Sequence, residues 1–292
     1  MVAPKKRTSF QSKTGTKRKS TVRKKSSQPF LIRSKIIFIA ILLVLLSPFY
    51  YGYVLRLFST CLHWIKDYGY HPHYHLYKGF HIPIPDKYSI HGIDVSFYQG
   101  QIDWQMVKRM HEDSVHITFA YIKATEGIAQ VDPYFQRNWH EAAKAGIICG
   151  PYHYFRPEKN GKWQARFLLQ NVNPETGDLP IAVDIEELDG VSPEKMRAEL
   201  TQFLKYISAH SESKPIIYAG LKFYKQNLAG YFNNYTFWLA HYYEESLDGD
   251  HGVKWVFWQH NDKGRVNGIN HVVDFDAFNG DSIAFKKLLI KK

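Results

Sequence analysis

The sequence predicts an α/β fold: an irregular TIM-like barrel of about eight strands with fewer helices, preceded by a single transmembrane helix. Three observations carry this reading. Beyond His91, short β-branched and aromatic runs alternate with helical patterns, as strands and crossovers of a parallel sheet do. Acidic residues recur at the ends of those runs, on the side that faces a barrel axis. Ahead of them, the twenty residues Ile36 to Leu55 carry no charge.

The N-terminal portion divides by composition. The net charge of +11 over 292 residues first suggests nucleic acid, but its location argues otherwise. Residues 1–35 hold twelve Lys or Arg and no acid, leaving 26 basic against 27 acidic residues beyond them. This segment, rich in Lys, Ser and Thr, buries too little apolar surface to fold and reads as a disordered cytoplasmic tail. "IIFIAILLVLLSPFYYGYVL", residues 36–55, has the length a helix needs to cross the hydrocarbon core. Lys35 and Arg56 bracket it, Tyr50, Tyr51 and Tyr53 fit an aromatic belt, and Pro48 marks a kink or an end. The charged region is too long for a cleaved signal peptide, and no small-x-small site follows. Positive charge on the N-terminal side keeps the tail inside and places everything after Leu55 outside.

Residues 56–90 read as a stalk, so that removing residues 1–86 is expected to release a soluble domain, residues 91–292. His71, His73 and His75 alternate there, but no acidic or Cys partner accompanies them, and neither a metal nor a cofactor is expected. Cys61 and Cys149 lie in different contexts and imply no disulfide framework.

Within the domain, "HGIDVS", "HITFAYIKA", "GIICGPYHYF", "LPIAVDIE", "KPIIYAG", "YTFWLAHY" and "VKWVFWQH" read as strands. Helices are expected over Trp104–His111, Pro133–Ala145, Trp163–Val172 and Pro193–His210, the last capped by Ser192 with Pro193 at its first position. Only an acidic loop separates Trp238–Tyr242 from Lys254–Gln259, so the last strands are expected to pair as hairpins.

Alternation along "LPIAVDIE" turns Ile181, Val183 and Ile185 toward helices and Ala182, Asp184 and Glu186 toward the axis. In "HGIDVSFYQG", Asp94 points inward in the same way. Acids two apart on a strand have Cα atoms roughly 6.5 Å apart, so one carboxyl should keep a proton near neutrality. A protonated acid beside an anion is what glycoside hydrolysis needs: one protonates the leaving oxygen, the other stabilises positive charge on the sugar. Glu187 and Asp189 suit a surface turn instead.

The segments "GIDVSFYQGQIDW", "FAYIKATEG", "GPYHYF", "PIAVDIE", "KPIIYAG", "FWLAHY", "FWQH" and "VDFDAF" together resemble family 25 glycoside hydrolases, the Chalaropsis-type lysozymes. The resemblance covers roughly two hundred residues in the family's order. It implies an N-acetylmuramidase that cuts the β-1,4 bond between N-acetylmuramic acid and N-acetylglucosamine. It also implies Glu186 as general acid, Asp184 as stabilising carboxylate, and Asp94 and Asp274 as further acids of the cleft. The family often has Asn where Asp276 stands, and Asp274 is the favoured match. Tyr152, Tyr154, Phe155, Tyr218, Trp238 and Gln259 fall at matching strand ends and are expected to bind sugar. Lys123 and Glu126 read as an ion pair at the cleft, either structural or chemical.

The expected partners are therefore peptidoglycan glycan strands, and membrane lipid through one helix, with the catalytic domain periplasmic or extracellular. Two rivals stand beside this: a non-catalytic, membrane-tethered peptidoglycan-binding protein, and a nucleic-acid binder acting through the basic tail. The retained acids and the topology-determining place of the basic charge disfavour them.

Overall fold

Eight strands close into a barrel in the computed structural model, which describes residues 73–242, 246–247 and 253–291. In chain order the strands are β1 (Tyr74–Tyr77), β2 (Ile82–Pro85), β3 (His91–Val95), β4 (His111–Glu112), β5 (Val115–Glu126), β6 (Gln130–Val131) and β7 (Ile148–Tyr154). They continue with β8 (Ala182–Asp184), β9 (Ile216–Gly220), β10 (Phe237–Ala240), β11 (Trp255–Gly264) and β12 (Val273–Phe278). The ring runs β3-β5-β7-β8-β9-β10-β11-β12 and returns to β3. All neighbours are parallel except β12, which is antiparallel to both β11 and β3.

The hairpin expected at the end is therefore formed by β11 and β12, whereas β10 and β11 pair in parallel. The fourteen residues between Ala240 and Trp255 supply the length that a parallel crossover requires.

Side-chain parity separates two apolar layers. Phe119, Tyr121, Ala182, Ile216, Trp238 and Phe257 fill the barrel. Gly92 and Gly150 permit this, since a Cβ at either would fall within about 2.5 Å of the Phe119 or Tyr121 ring. Outward-facing Ile181, Val183 and Ile185 pack in the layer shared with Met196, Leu200, Phe203 and Leu204 of helix Pro193–His210. That helix begins where the sequence predicts, with Ser192 Oγ accepting from the Lys195 amide. The other expected helices are Trp104–Arg109, Phe135–Lys144 and Gly161–Asn171, and a final helix, Ser282–Leu288, inserts Phe285 against Phe119 and Phe278.

The reading of residues up to 90 as a stalk is corrected from residue 73 onward. β1 and β2 form an antiparallel hairpin, and Phe80, Ile82 and Ile84 are buried in the outer layer. Phe80 meets Phe275 edge-on at 5.4 Å, and its carbonyl accepts from the Arg265 amide. Alternating "IPI" supplied the apolar face; its neighbouring His, Tyr and Pro disguised it. His71, Cys61, the basic tail and the span 36–55 lie outside the described residues. Among those described, no helix is long and apolar enough to cross a membrane.

Candidate active site

The C-terminal ends of the parallel strands deliver acids and aromatics to one mouth of the barrel. Asp94 ends the inward face of β3, Tyr152 and Tyr154 that of β7, and Asp184 is the last residue of β8. Tyr218, Trp238 and Gln259 follow from β9, β10 and β11. Because β12 runs the other way, its beginning reaches the same mouth. Asp274 stands opposite Asp94, and Asp276 one step deeper, opposite Gly92.

All of these except the deeper Asp276 line an acidic cavity of about 210 Å³ that also includes Lys123. A groove of about 470 Å³ adjoins it, lined by Leu221, Lys222, Phe223 and His241 among others. Glu186, Tyr218 and Tyr242 border both spaces, so Glu186 sits at their junction.

Two carboxyl pairs organise the cavity. Asp184 is buried and in hydrogen-bonding contact with Glu186, whose side chain reaches solvent at the mouth. Asp94 makes the same kind of contact with Asp276, which is fully buried. Two carboxylates in such contact repel unless a proton lies between them, so the arrangement of each pair favours sharing one. Burial is the largest cause raising all four, Asp94, Asp184 and Asp276 well above the ordinary carboxylate range. The Glu186 charge adds to the effect on Asp184; for Glu186, the contact with Asp184 opposes the rise and Glu187 adds to it. Burial, with Asp94 and Asp262, pushes Asp274 up to about 8.

Neutral donors hold the acids in place. Gln259 Nε2 donates to Asp94 Oδ2 at 2.6 Å, and its Oε1 accepts the hydroxyls of Tyr218 (2.8 Å) and Tyr242 (2.6 Å). Trp238 stacks on Tyr121 and donates from Nε1 to Asp276 Oδ1 at 2.8 Å. It thus forms the cavity floor rather than an open platform. Lys123 lines the same cavity: it pairs with Glu126 at 2.7 Å and lies 4.7 Å over the Tyr154 ring, lowering Asp184 and Glu186 through its charge. Arg156 covers Tyr154 at the same distance and joins Glu126 to Asp189.

Phe155 is the exception among the expected sugar-binding residues. It is 1% exposed and packs edge-on against Phe203 in the outer layer. Parity explains this: Tyr152 and Tyr154 turn inward, so the next residue turns to the helices.

Three further residues belong to the site. Tyr242 shares parity with Trp238 and Ala240, a signal available in "FWLAHY". Asp276 shares that of Asp274. Tyr98, 71% exposed at the mouth, sits on a loop where strand parity does not apply; Asp132 fixes that loop by accepting from the Phe97 amide at 2.7 Å. Among the described residues, no three His, Cys, Asp or Glu are arranged to hold a metal ion.

A family model described as glycosyl hydrolases family 25 matches residues 93–269. The chain is 49% identical over 217 residues to the Escherichia coli K12 protein YegX, covering 74% of this chain and 78% of that one. It is 34% identical over 212 residues to lysozyme M1 of Streptomyces globisporus, covering 68% and 70%. A solved family 25 glycosyl hydrolase from Bacillus anthracis superposes with a TM-score of 0.64 at 30% identity, covering 75% of this chain and 98% of that one.

Proposed function

This chain belongs to glycosyl hydrolases family 25 and is a glycoside hydrolase of the lysozyme type; we propose that it cuts the β-1,4 bond between N-acetylmuramic acid and N-acetylglucosamine in peptidoglycan. The observation that carries the reading is the Asp184–Glu186 pair, two carboxyls in contact where the acidic cavity meets the open groove. A glycan strand crossing both spaces brings its glycosidic oxygen to Glu186. Glu186 donates the proton, and the leaving sugar departs along the groove.

Positive charge then develops at the anomeric carbon held in the cavity. Asp184, left without the shared proton, stabilises it at short range until the oxygen of a water bonds to that carbon and the water's proton returns to the carboxyl pair. Asp94 and Asp274 extend the negative field, while Gln259, Tyr218 and Tyr242 fix its geometry in advance. Lys123 keeps that many acids tolerable in one cavity, so its role is electrostatic as well as structural.

The same proposal places the enzyme at a membrane. Ile36–Leu55 acts as an uncleaved anchor, the basic tail stays in the cytoplasm, and the barrel faces the wall. Tethering then raises the effective concentration of enzyme at its polymer. A reporter active only outside the cytoplasm should work when fused after Lys292 and fail after Ser34; the opposite pattern overturns the topology. For the reaction, mass spectrometry of digests of purified peptidoglycan should find the new reducing end on N-acetylmuramic acid. A reducing end on N-acetylglucosamine would overturn the bond assignment.

A further inference from the structure

Outside the cleft, the solvent face of helix Gly161–Asn171 has an unusual composition. Trp163, Arg166, Phe167 and Gln170 recur at spacings of three and four, so they share one face, while Gln164, Ala165 and Leu168 are buried on the other. With Ile128 they line a pocket of about 190 Å³. Trp163 is 58% exposed and Ile128 47%, so the helix offers apolar surface where solvent normally selects polar residues. The Arg166 guanidinium lies 4.8 Å from the centre of the Trp163 ring. Among the described residues Arg166 makes no ion pair, unlike Arg156 and Arg197.

This pocket continues the wall of the cleft. Ile128 lies two residues beyond Glu126, which ties Lys123 to Arg156, and the Gly127 amide donates to the Tyr154 carbonyl. Tyr154 lines the acidic cavity, with Arg156 stacked on its ring. Residues 126 and 127 thus join Ile128 of the pocket to Tyr154 and Arg156 at the cavity rim.

A flat indole suits the C–H face of a sugar ring, and a neighbouring unpaired guanidinium suits a carboxylate. A muramyl unit carries both: a pyranose, and through its lactyl group a peptide with free carboxylates. We propose that the Trp163–Arg166 pocket is a second binding site for the peptidoglycan strand, the indole taking a sugar and Arg166 a carboxylate of its attached peptide. This rests on peptidoglycan being the substrate. Its effect is to hold the polymer while the cleft cuts, so it matters for long chains and not for short ones.

Trp163→Ala and Arg166→Gln change exposed groups and are compared with the wild-type full chain in detergent. On insoluble peptidoglycan sacs, each should lower kcat/KM about 5- to 20-fold, through KM. On a soluble tetrasaccharide, which fills only the cleft, both should stay within about 2-fold of wild type. Co-sedimentation with the sacs should weaken in parallel. After the peptide carboxylates of the sacs are converted to amides with a carbodiimide and ammonia, the Arg166→Gln defect should vanish and the Trp163→Ala defect remain. Wild-type binding by both variants would overturn the proposal and leave a protein partner as the occupant of the pocket. Equal losses on both substrates would overturn it by assigning the residues to the cleft. Wild type that cuts neither substrate refutes the peptidoglycan reading itself, while co-sedimentation still reports on the pocket.

Discussion

Gln259 bridges opposite chemistries: its amide N–H donates to Asp94 at 2.6 Å, and its carbonyl accepts two phenols, Tyr218 and Tyr242. One planar group thereby sets the positions of an acid from β3 and rings from beyond β8. Gln259→Leu takes a donor from Asp94 and an acceptor from both tyrosines in a buried site, and kcat/KM on peptidoglycan should fall about 10- to 100-fold. The donated hydrogen bond holds Asp94 lower than burial alone would. Its loss raises Asp94 further, so any limb of the pH–rate profile that reports Asp94 ionisation should move to higher pH. An unmoved profile with the same loss of rate would assign Gln259 to sugar binding alone.

Asp276 stores an alkaline liability. Its carboxyl is buried, sits against Asp94, and is raised well above its unfolded value, mainly by burial. The native state therefore holds a proton that the unfolded chain loses above about pH 4. That contribution is present at low pH and is lost as pH rises through the folded value. Asp276→Asn can still accept from Trp238 and can donate to Asp94 without titrating. The melting-temperature difference between variant and wild type should grow in the variant's favour, by a few degrees, from pH 6 to pH 9. A difference that stays constant with pH would show that native Asp276 is already ionised at pH 6, as in the unfolded chain.

The β1–β2 hairpin sets where the domain can be cut. Fully burying Phe80, Ile82 and Ile84 contributes roughly 5–8 kcal/mol as an upper bound, comparable with the whole stability of many domains. A chain starting at residue 73 should be soluble and melt cooperatively. One starting at residue 87 should melt at least 10 °C lower or aggregate, because Phe275 and neighbouring outer-face residues lose their cover. Equal melting temperatures would return the hairpin to the role of a linker.

Legibility in the sequence followed parity. Wherever a strand stayed regular, alternation placed its side chains correctly: Asp94 and Asp184 inward, and Ile181, Val183 and Ile185 outward. Phe155 departs from its expected place because the motif "GPYHYF" spans both faces of the strand, and its own position in the alternation sends it toward Phe203. Tyr98 was out of reach for another reason, since a loop has no period and Asp132, 34 residues away, decides where that ring stands. The hairpin was hidden because "HLY" and "IPI" pair only when a barrel face is present to cover. Strand direction was unreadable as well: nothing local to "VDFDAF" says that β12 runs antiparallel, which is what brings the start of that strand to the mouth.

The Asp184–Glu186 pair gives the sharpest test of the chemistry. Glu186 stands at the junction and can reach a glycosidic oxygen, while Asp184 is buried behind it. Glu186→Gln keeps the shape but has no acidic proton, so activity on peptidoglycan should fall about 10²- to 10⁴-fold. An aryl glycoside with a good leaving group needs little protonation, and on such a substrate this variant should recover much of its rate. Asp184→Asn removes the anion beside the developing positive charge. That need persists whatever leaves, so this variant should stay impaired on both substrates. Glu186 is held up mainly by burial, with the Asp184 contact opposing, and Asn at 184 no longer takes part in a shared proton. The pH–rate limb that reports the pair should therefore collapse from a coupled to a single titration. Rescue of Asp184→Asn, rather than Glu186→Gln, by the aryl leaving group would reverse the two roles and make the buried carboxyl the acid.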